Sequence, residues 1–250
     1  MSPAVLSCLI FALTLGGIVL GASLRTALPQ HHLSKDSQDV VRLGVGLIAT
    51  IAALVLGLLI AAAKGSFDTQ SGQVKQITAD LILLDALLEQ YGPEALPLRV
   101  EMRNTTGPLA DRLWHEKPPA AGVPFTMNTK AESVYVAIQA LSPKNDLQRS
   151  LQARAVQVST DLAQTRLLLF VESDSAIPAP FIAILAFWLI IIFASFSLFA
   201  ALNVTVFSFL SLFALSTSCA IFLILELSQP FTGLLMIQSA PLRNALATLG

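Results

Sequence analysis

The residues best suited to chemistry sit together in "HHLSKDSQDVVRLGVG", His31 to Gly46. Two imidazoles, His31 and His32, precede Lys35, Asp36, Asp39 and Arg42. Imidazoles titrate near neutral pH, and carboxylate and guanidinium groups attract ions, so His31, His32, Asp36, Asp39 and Arg42 read as a site at the mouth of a pore or carrier. A plainer reading uses the same residues: Ser34 caps a helix, Asp36 lies in its first turn against the positive end of the dipole, and Arg42 snorkels toward headgroups. The histidines would then sit in an aqueous loop. No metal is expected, because adjacent histidines point in different directions and no second ligand pair has a suitable spacing.

The rest of the chain offers little to a catalyst. Serine, histidine and aspartate are present, but no nucleophile elbow, phosphate-cradling glycine loop or paired-carboxylate motif accompanies them, so neither enzyme nor cofactor is expected. Trp114, His115 and Trp188 read as packing residues. A formal net charge of -1 gives no footprint for a nucleic-acid partner.

Composition explains what must position the polar stretch. Among 250 residues, 54% are hydrophobic and 12% charged, and the mean hydropathy is +0.71, which makes the lipid bilayer the expected solvent. Crossing about 30 Å of hydrocarbon takes roughly 20 apolar residues as a helix. Pro3 to Leu24, Leu43 to Ala63 and Ser175 to Leu225 carry no charge, and the last is long enough to cross twice. The expected spans are Ala4 to Ser23, Leu43 to Ala63, Phe181 to Leu202 and Val204 to Leu225. The break in the last run is placed at Asn203, and Pro178 and Pro180 suit the start of the third span. A cleaved signal peptide is the other reading of the first run, but "MSPAVLSC" lacks a basic n-region, which favours a retained anchor. Cys8 and Cys219 fall inside spans, so no structural disulfide is expected. Ser208, Ser211, Ser216 and Ser218 of the last span are expected to bond to neighbouring helices or their own carbonyls.

Between the second and third spans lies a large polar insert. Val74, Ile77, Leu81, Leu84, Leu88 and Tyr91 recur at steps of three and four, the seam of a packed helix, which Gly92-Pro93 ends. A weaker helix is expected from about Pro93 to Glu116 with an interruption near "NTTGP", followed by the irregular "KPPAAGVPFTMNTK". Val134, Ile138 and Leu141 share a face, Ser142-Pro143 punctuates, and Leu147, Leu151, Val158, Leu162 and Leu169 continue one long helix. The insert should be a bundle of three or four helices running directly out of the second span and into the third. Basic residues nearly balance across the membrane, so the side carrying the bundle stays open.

The second span carries small residues at helical spacing: Gly46, Ala49, Thr50, Ala53, Gly57 and Ala61. Such a stripe permits close helix packing within one subunit, or it lines a pore between subunits with Thr50 as its hydroxyl. Gly65-Ser66 offers a bend beyond the membrane.

Three blocks, "HHLSKDSQDVVRLGVGLIATIAALVLGLLIAAAKGSFDTQ", "LLDALLEQYGPEA" and "LELSQPFTGLLMI", resemble the bacterial bestrophin-like membrane proteins, a family distantly related to bestrophin anion channels. The resemblance implies a bacterial inner (plasma) membrane protein and a homo-oligomer, a pentamer as in true bestrophins, whose second membrane helix lines a pore for small anions. Bestrophins narrow that pore with bulky apolar and aromatic side chains. The second span here has no aromatic residue, so that neck has no counterpart residue by residue.

The expected architecture is an all-α integral membrane protein with four transmembrane helices and a helical-bundle insert between the second and third. Residues 1–63 hold the first two helices and their polar linker, 64–179 the bundle, 180–225 the last two helices and 226–250 a tail. The expected function is an oligomeric, anion-passing channel. The competing expectation is a non-conducting membrane scaffold or sensor whose bundle binds a partner.

Overall fold

The computed structural model describes residues 2–29, 34–114, 129–173, 178–200 and 203–248. All regular structure among them is helical: α1 (Pro3–Ala27), α2 (Lys35–Tyr91), α3 (Leu96–Leu113), α4 (Thr129–Gln139), α5 (Asp146–Ser173), α6 (Ala179–Phe199), α7 (Val204–Leu227) and α8 (Ala240–Thr248), with a 3-10 turn at Pro93–Ala95. The chain forms two compact units, Met1–Gly65 with Ala176–Ser228, and Ser66–Ser175 with Gln229–Gly250. Helix α2 passes from one to the other without interruption, through Gly65-Ser66.

Among the described residues, the four helices long and apolar enough to cross a membrane, α1, the start of α2, α6 and α7, lie in the first unit. Their ends follow local chemistry. Ser2 caps α1 by accepting from the Val5 amide at 3.4 Å. Ser34 caps α2, its hydroxyl accepting from the Ser37 amide at 3.4 Å. Asn203 Oδ1 accepts from the Val206 amide at 2.8 Å, so the residue expected to break the last apolar run starts α7. Helix α6 stops earlier than expected, at Phe199, because Ala200 is already extended. Conversely, α1 runs on through Arg25 to Ala27.

Helix α1 packs on α6 and α7. Its buried residues Ser7, Ile10, Thr14, Gly17, Ile18 and Gly21 form one face. The polar members do not strand their protons: Ser7 Oγ donates to the Pro3 carbonyl at 3.0 Å and Thr14 Oγ1 to the Phe11 carbonyl at 2.8 Å. Gly17 and Gly21 let the α6 backbone approach. A Cβ on Gly17 would lie 3.0 Å from the Ile190 carbonyl oxygen, and one on Gly21 would fall on the Ala194 carbonyl. Successive contacts advance along both helices together, so α1 and α6 run parallel.

In α7 two of the four serines depart from expectation. Thr217 Oγ1 donates back to the Phe213 and Ala214 carbonyls at 3.2 and 3.0 Å, whereas Ser211 and Ser218 keep buried hydroxyl oxygens with no partner among the described residues.

The second unit packs around the α2 seam. Val74, Ile77, Leu81, Leu84, Leu88 and Tyr91 are all buried, and Gly92 ends the helix at φ 121°, where a Cβ would be strained. Gln73 Nε2 donates to Glu172 Oε2 at 2.7 Å, tying α2 to α5. Arg99 grips Asp85 through Nε and Nη2 at 2.7 and 2.8 Å. With both partners mostly buried, that two-pronged pair fixes how α3 lies on α2.

One expectation fails here. The "NTTGP" stretch does not interrupt a helix, because α3 runs through it. Burial of Met102, Thr106 and Ala110 outweighs the helix-breaking tendency of glycine and proline, and Thr105 and Thr106 both donate to the Met102 carbonyl, at 3.0 and 2.8 Å. Leu147 lies outside the core at 66% exposure, while Leu151, Val158, Leu162 and Leu169 are buried. After α7 the chain returns to this unit: Trp114 Nε1 donates to the Ile237 carbonyl at 2.6 Å, and its ring meets Phe231 edge-on at 5.6 Å.

Candidate functional site

A helix presents side chains at about 100° intervals, so a span has distinct faces. On the membrane part of α2, Val45 and Ala52 are buried in the first unit's core, with Ile48, Ala49, Leu56 and Leu59 packed against it. That face is spoken for within the chain.

The small-residue stripe lies mostly elsewhere. Gly46, Thr50, Ala53, Gly57 and Ala61 are exposed, and Ala49 is half-buried at the edge of the packed face. A Cβ added at Gly46 or Gly57 would meet nothing within 4 Å. Among the stripe residues, Ala49 packs against the first unit's core. Thr50 Oγ1 donates to the Gly46 carbonyl at 2.9 Å. With its proton engaged, Thr50 turns lone pairs outward.

A second open row was missed in the sequence. Leu43, Leu47, Ile51, Leu54 and Leu58 recur at steps of four and three and are 77%, 65%, 40%, 65% and 70% exposed. Their spacing was legible, but the run is apolar on every side, and periodicity cannot pick out a face when all faces are apolar.

The polar stretch is brought together only in part. Asp36, Asp39 and Arg42 are exposed on the first turns of α2, while His31 and His32 lie outside the described residues. Arg42, Gly46 and Ala49 share a groove of about 390 Å³ with Val41, Val45, Ser195, Phe196, Phe199 and Ala200. The groove is cut between the start of the second span and the end of α6. Among the described residues no three His, Cys, Asp or Glu side chains are placed to hold a metal ion. Cys8 and Cys219 are free and exposed.

The second unit buries ionisable groups of its own. Burial pushes the Asp80 carboxyl above the usual carboxylate range, against the lowering effect of its hydrogen bond from Gln76. Burial also pushes the Arg166 guanidinium down to about 10, and its Nη2 donates to Thr106 Oγ1 at 3.2 Å.

Comparison with known proteins gives the chain a context. A family model described as the bestrophin-like domain matches residues 11–242. No curated protein matches. The crystal structure of a point-mutated bacterial bestrophin homologue from Klebsiella pneumoniae matches with a TM-score of 0.68 at 14% identity, over 96% of each chain. At that identity the likeness is one of fold.

Proposed function

The chain belongs to the bestrophin-like family, and from that premise we propose that it assembles as a homo-oligomeric channel that passes small anions, with the second span on the central axis. The observation that carries this reading is the open row Gly46, Thr50, Ala53, Gly57 and Ala61 on a charge-free span. One such helix cannot enclose a water path, so several copies must stand around an axis. Small side chains leave room for an ion there. Family likeness makes five the expected number of copies and the bacterial inner membrane the expected location. Asp36, Asp39 and Arg42 mark the mouth, with His31 and His32 just before them in sequence, and Arg42 there raises the local concentration of anions.

The competing scaffold reading draws on a different surface. Leu167, Leu168, Phe170 and Val171 of α5 are 42%, 47%, 42% and 67% exposed, apolar area that another protein or another copy would cover. Oligomeric state separates a pore from a lone scaffold. The particle mass in detergent and in lipid nanodiscs is expected to be a fixed multiple of the 26.6 kDa chain. A strict monomer in both would overturn the pore.

A further inference from the structure

The groove at the start of the second span has the dimensions and chemistry of a lipid site. Its α2 wall runs from Val41 to Ala49, about 12 Å of helix at 1.5 Å per residue. Arg42 stands immediately before the charge-free stretch that begins at Leu43, so the groove starts at headgroup level and continues into hydrocarbon. Across it, α6 is ending: Phe196 and Phe199 belong to its last turn, and Ala200 is already extended. Apart from Arg42 and Ser195 the walls are apolar, and no carboxylate lines them.

The cation at the rim lacks a partner. No described residue makes a hydrogen bond or ion pair with Arg42, and neither Asp36 nor Asp39, on its own helix, is bonded to it. A second guanidinium reaches the same end of the unit. Arg25 follows Gly21 by one helical turn on the face of α1 that meets α6, and its Nη1 is buried with no partner among the described residues. A guanidinium that pairs with no described residue, although Asp39 stands one turn before it, at the rim of apolar walls at the edge of a bilayer, matches a molecule with an anionic head and an acyl tail.

We propose that this groove binds one anionic phospholipid per chain, its phosphate on Arg42 and one acyl chain against Val41, Val45, Phe196 and Phe199. Phosphate suits a guanidinium because two oxygens meet the planar fork of donors. The acyl chain fills space that no side chain of this unit occupies. The groove shares Arg42 and Gly46 with the mouth end of the proposed conduction row, whereas Thr50, Ala53, Gly57 and Ala61 lie outside it.

Lipid retention tests this directly, with no flux measurement involved. Purified protein is exchanged into detergent with phosphatidylglycerol or phosphatidylcholine, and bound lipid is counted by native mass spectrometry. Phosphatidylglycerol is expected to stay bound at one per chain and phosphatidylcholine to wash away. Arg42→Gln should weaken retention about tenfold, the loss of one charge-assisted contact, while Arg42→Lys should keep most of it. Ala49→Trp, which fills the groove and leaves the charge in place, should remove the lipid as well. An unchanged elution volume and melting temperature show that each variant is folded. Equal retention of both lipids, or full retention in Ala49→Trp, would overturn the proposal. So would competition by glycerol phosphate as effective as by the whole lipid, because the groove would then be a small-anion site. Absence of bound lipid in an assembly whose groove is covered by a second copy would overturn it too.

Discussion

Gly21→Val is expected to prevent the first unit from assembling. The Cβ it adds falls on the carbonyl of Ala194, 2.9 Å from that carbon and 3.0 Å from the Ala194 Cα. All three atoms belong to the α6 backbone, so no side chain can rotate away and the two helices must separate. Overpacking a core commonly costs about 1–3 kcal/mol even where side chains can adjust. With backbone against backbone the cost is expected at or above about 3 kcal/mol, more than a hundredfold in the folding equilibrium. Separation would also expose the face of Thr14, Gly17 and Ile18, all buried. Gly17→Ala should be milder, because its Cβ would touch the Ile190 carbonyl oxygen at 3.0 Å and the movable Cγ2 at 3.3 Å. Gly16→Val, which meets nothing within 4 Å, is the control. Melting curves in detergent, with elution of the tagged protein by size, should rank the variants in that order. A Gly21→Val protein as stable as Gly16→Val would show that α1 and α6 do not meet as described.

The second large effect is on transport. Ala53→Trp places an indole on an open position of α2, flanked along the same row by Thr50 and Gly57. Ala53 is exposed, so the protein should fold and assemble normally. If the row faces the axis, every copy contributes one indole at the same depth, and the water path closes. Anion flux is then expected to fall by about tenfold or more. Leu54→Trp, on the neighbouring row, enlarges a side chain already 65% exposed and should have the smaller effect. The reverse ranking would move the axis to the leucine row. Unchanged flux in both correctly assembled variants would place neither row in the pore.

What was legible in the sequence was whatever a repeating pattern or a strong local signal encodes. The α2 seam, read from Val74 to Tyr91, is buried at every position because alternating steps of three and four line its apolar residues along one face. Asn203 and Gly92 were legible because a side-chain cap and a left-handed turn have few substitutes. The continuity of α3 through Asn104 to Pro108 was not, since burial of Met102 and Thr106 is tertiary information that local propensity opposes. Docking of the tail was equally hidden, as Trp114 and Ile237 lie 123 residues apart.

In the membrane the limits differ. Gly17 and Gly21 form a G-x-x-x-G spacing, a signal for close helix approach that was present in the sequence and went unread. The small row on α2 was visible, but its spacing is the same whether it meets a helix, lipid or water. Only the position of Val45 and Ala52 in the core shows which face α2 has already used. The polar stretch was half legible: Ser34 and Asp36 do start a helix, while the groove that takes Arg42 needs Ser195, Phe196 and Phe199 from the far end of the chain.

The most direct test of the conduction reading is anion flux through the purified protein alone. Wild-type protein reconstituted in liposomes of defined lipid, loaded with a chloride-sensitive dye, should pass chloride steadily down its gradient, and Ala53→Trp at equal protein density should not. Wild-type vesicles as tight as protein-free ones, with the protein shown to be inserted and assembled, would contradict the channel.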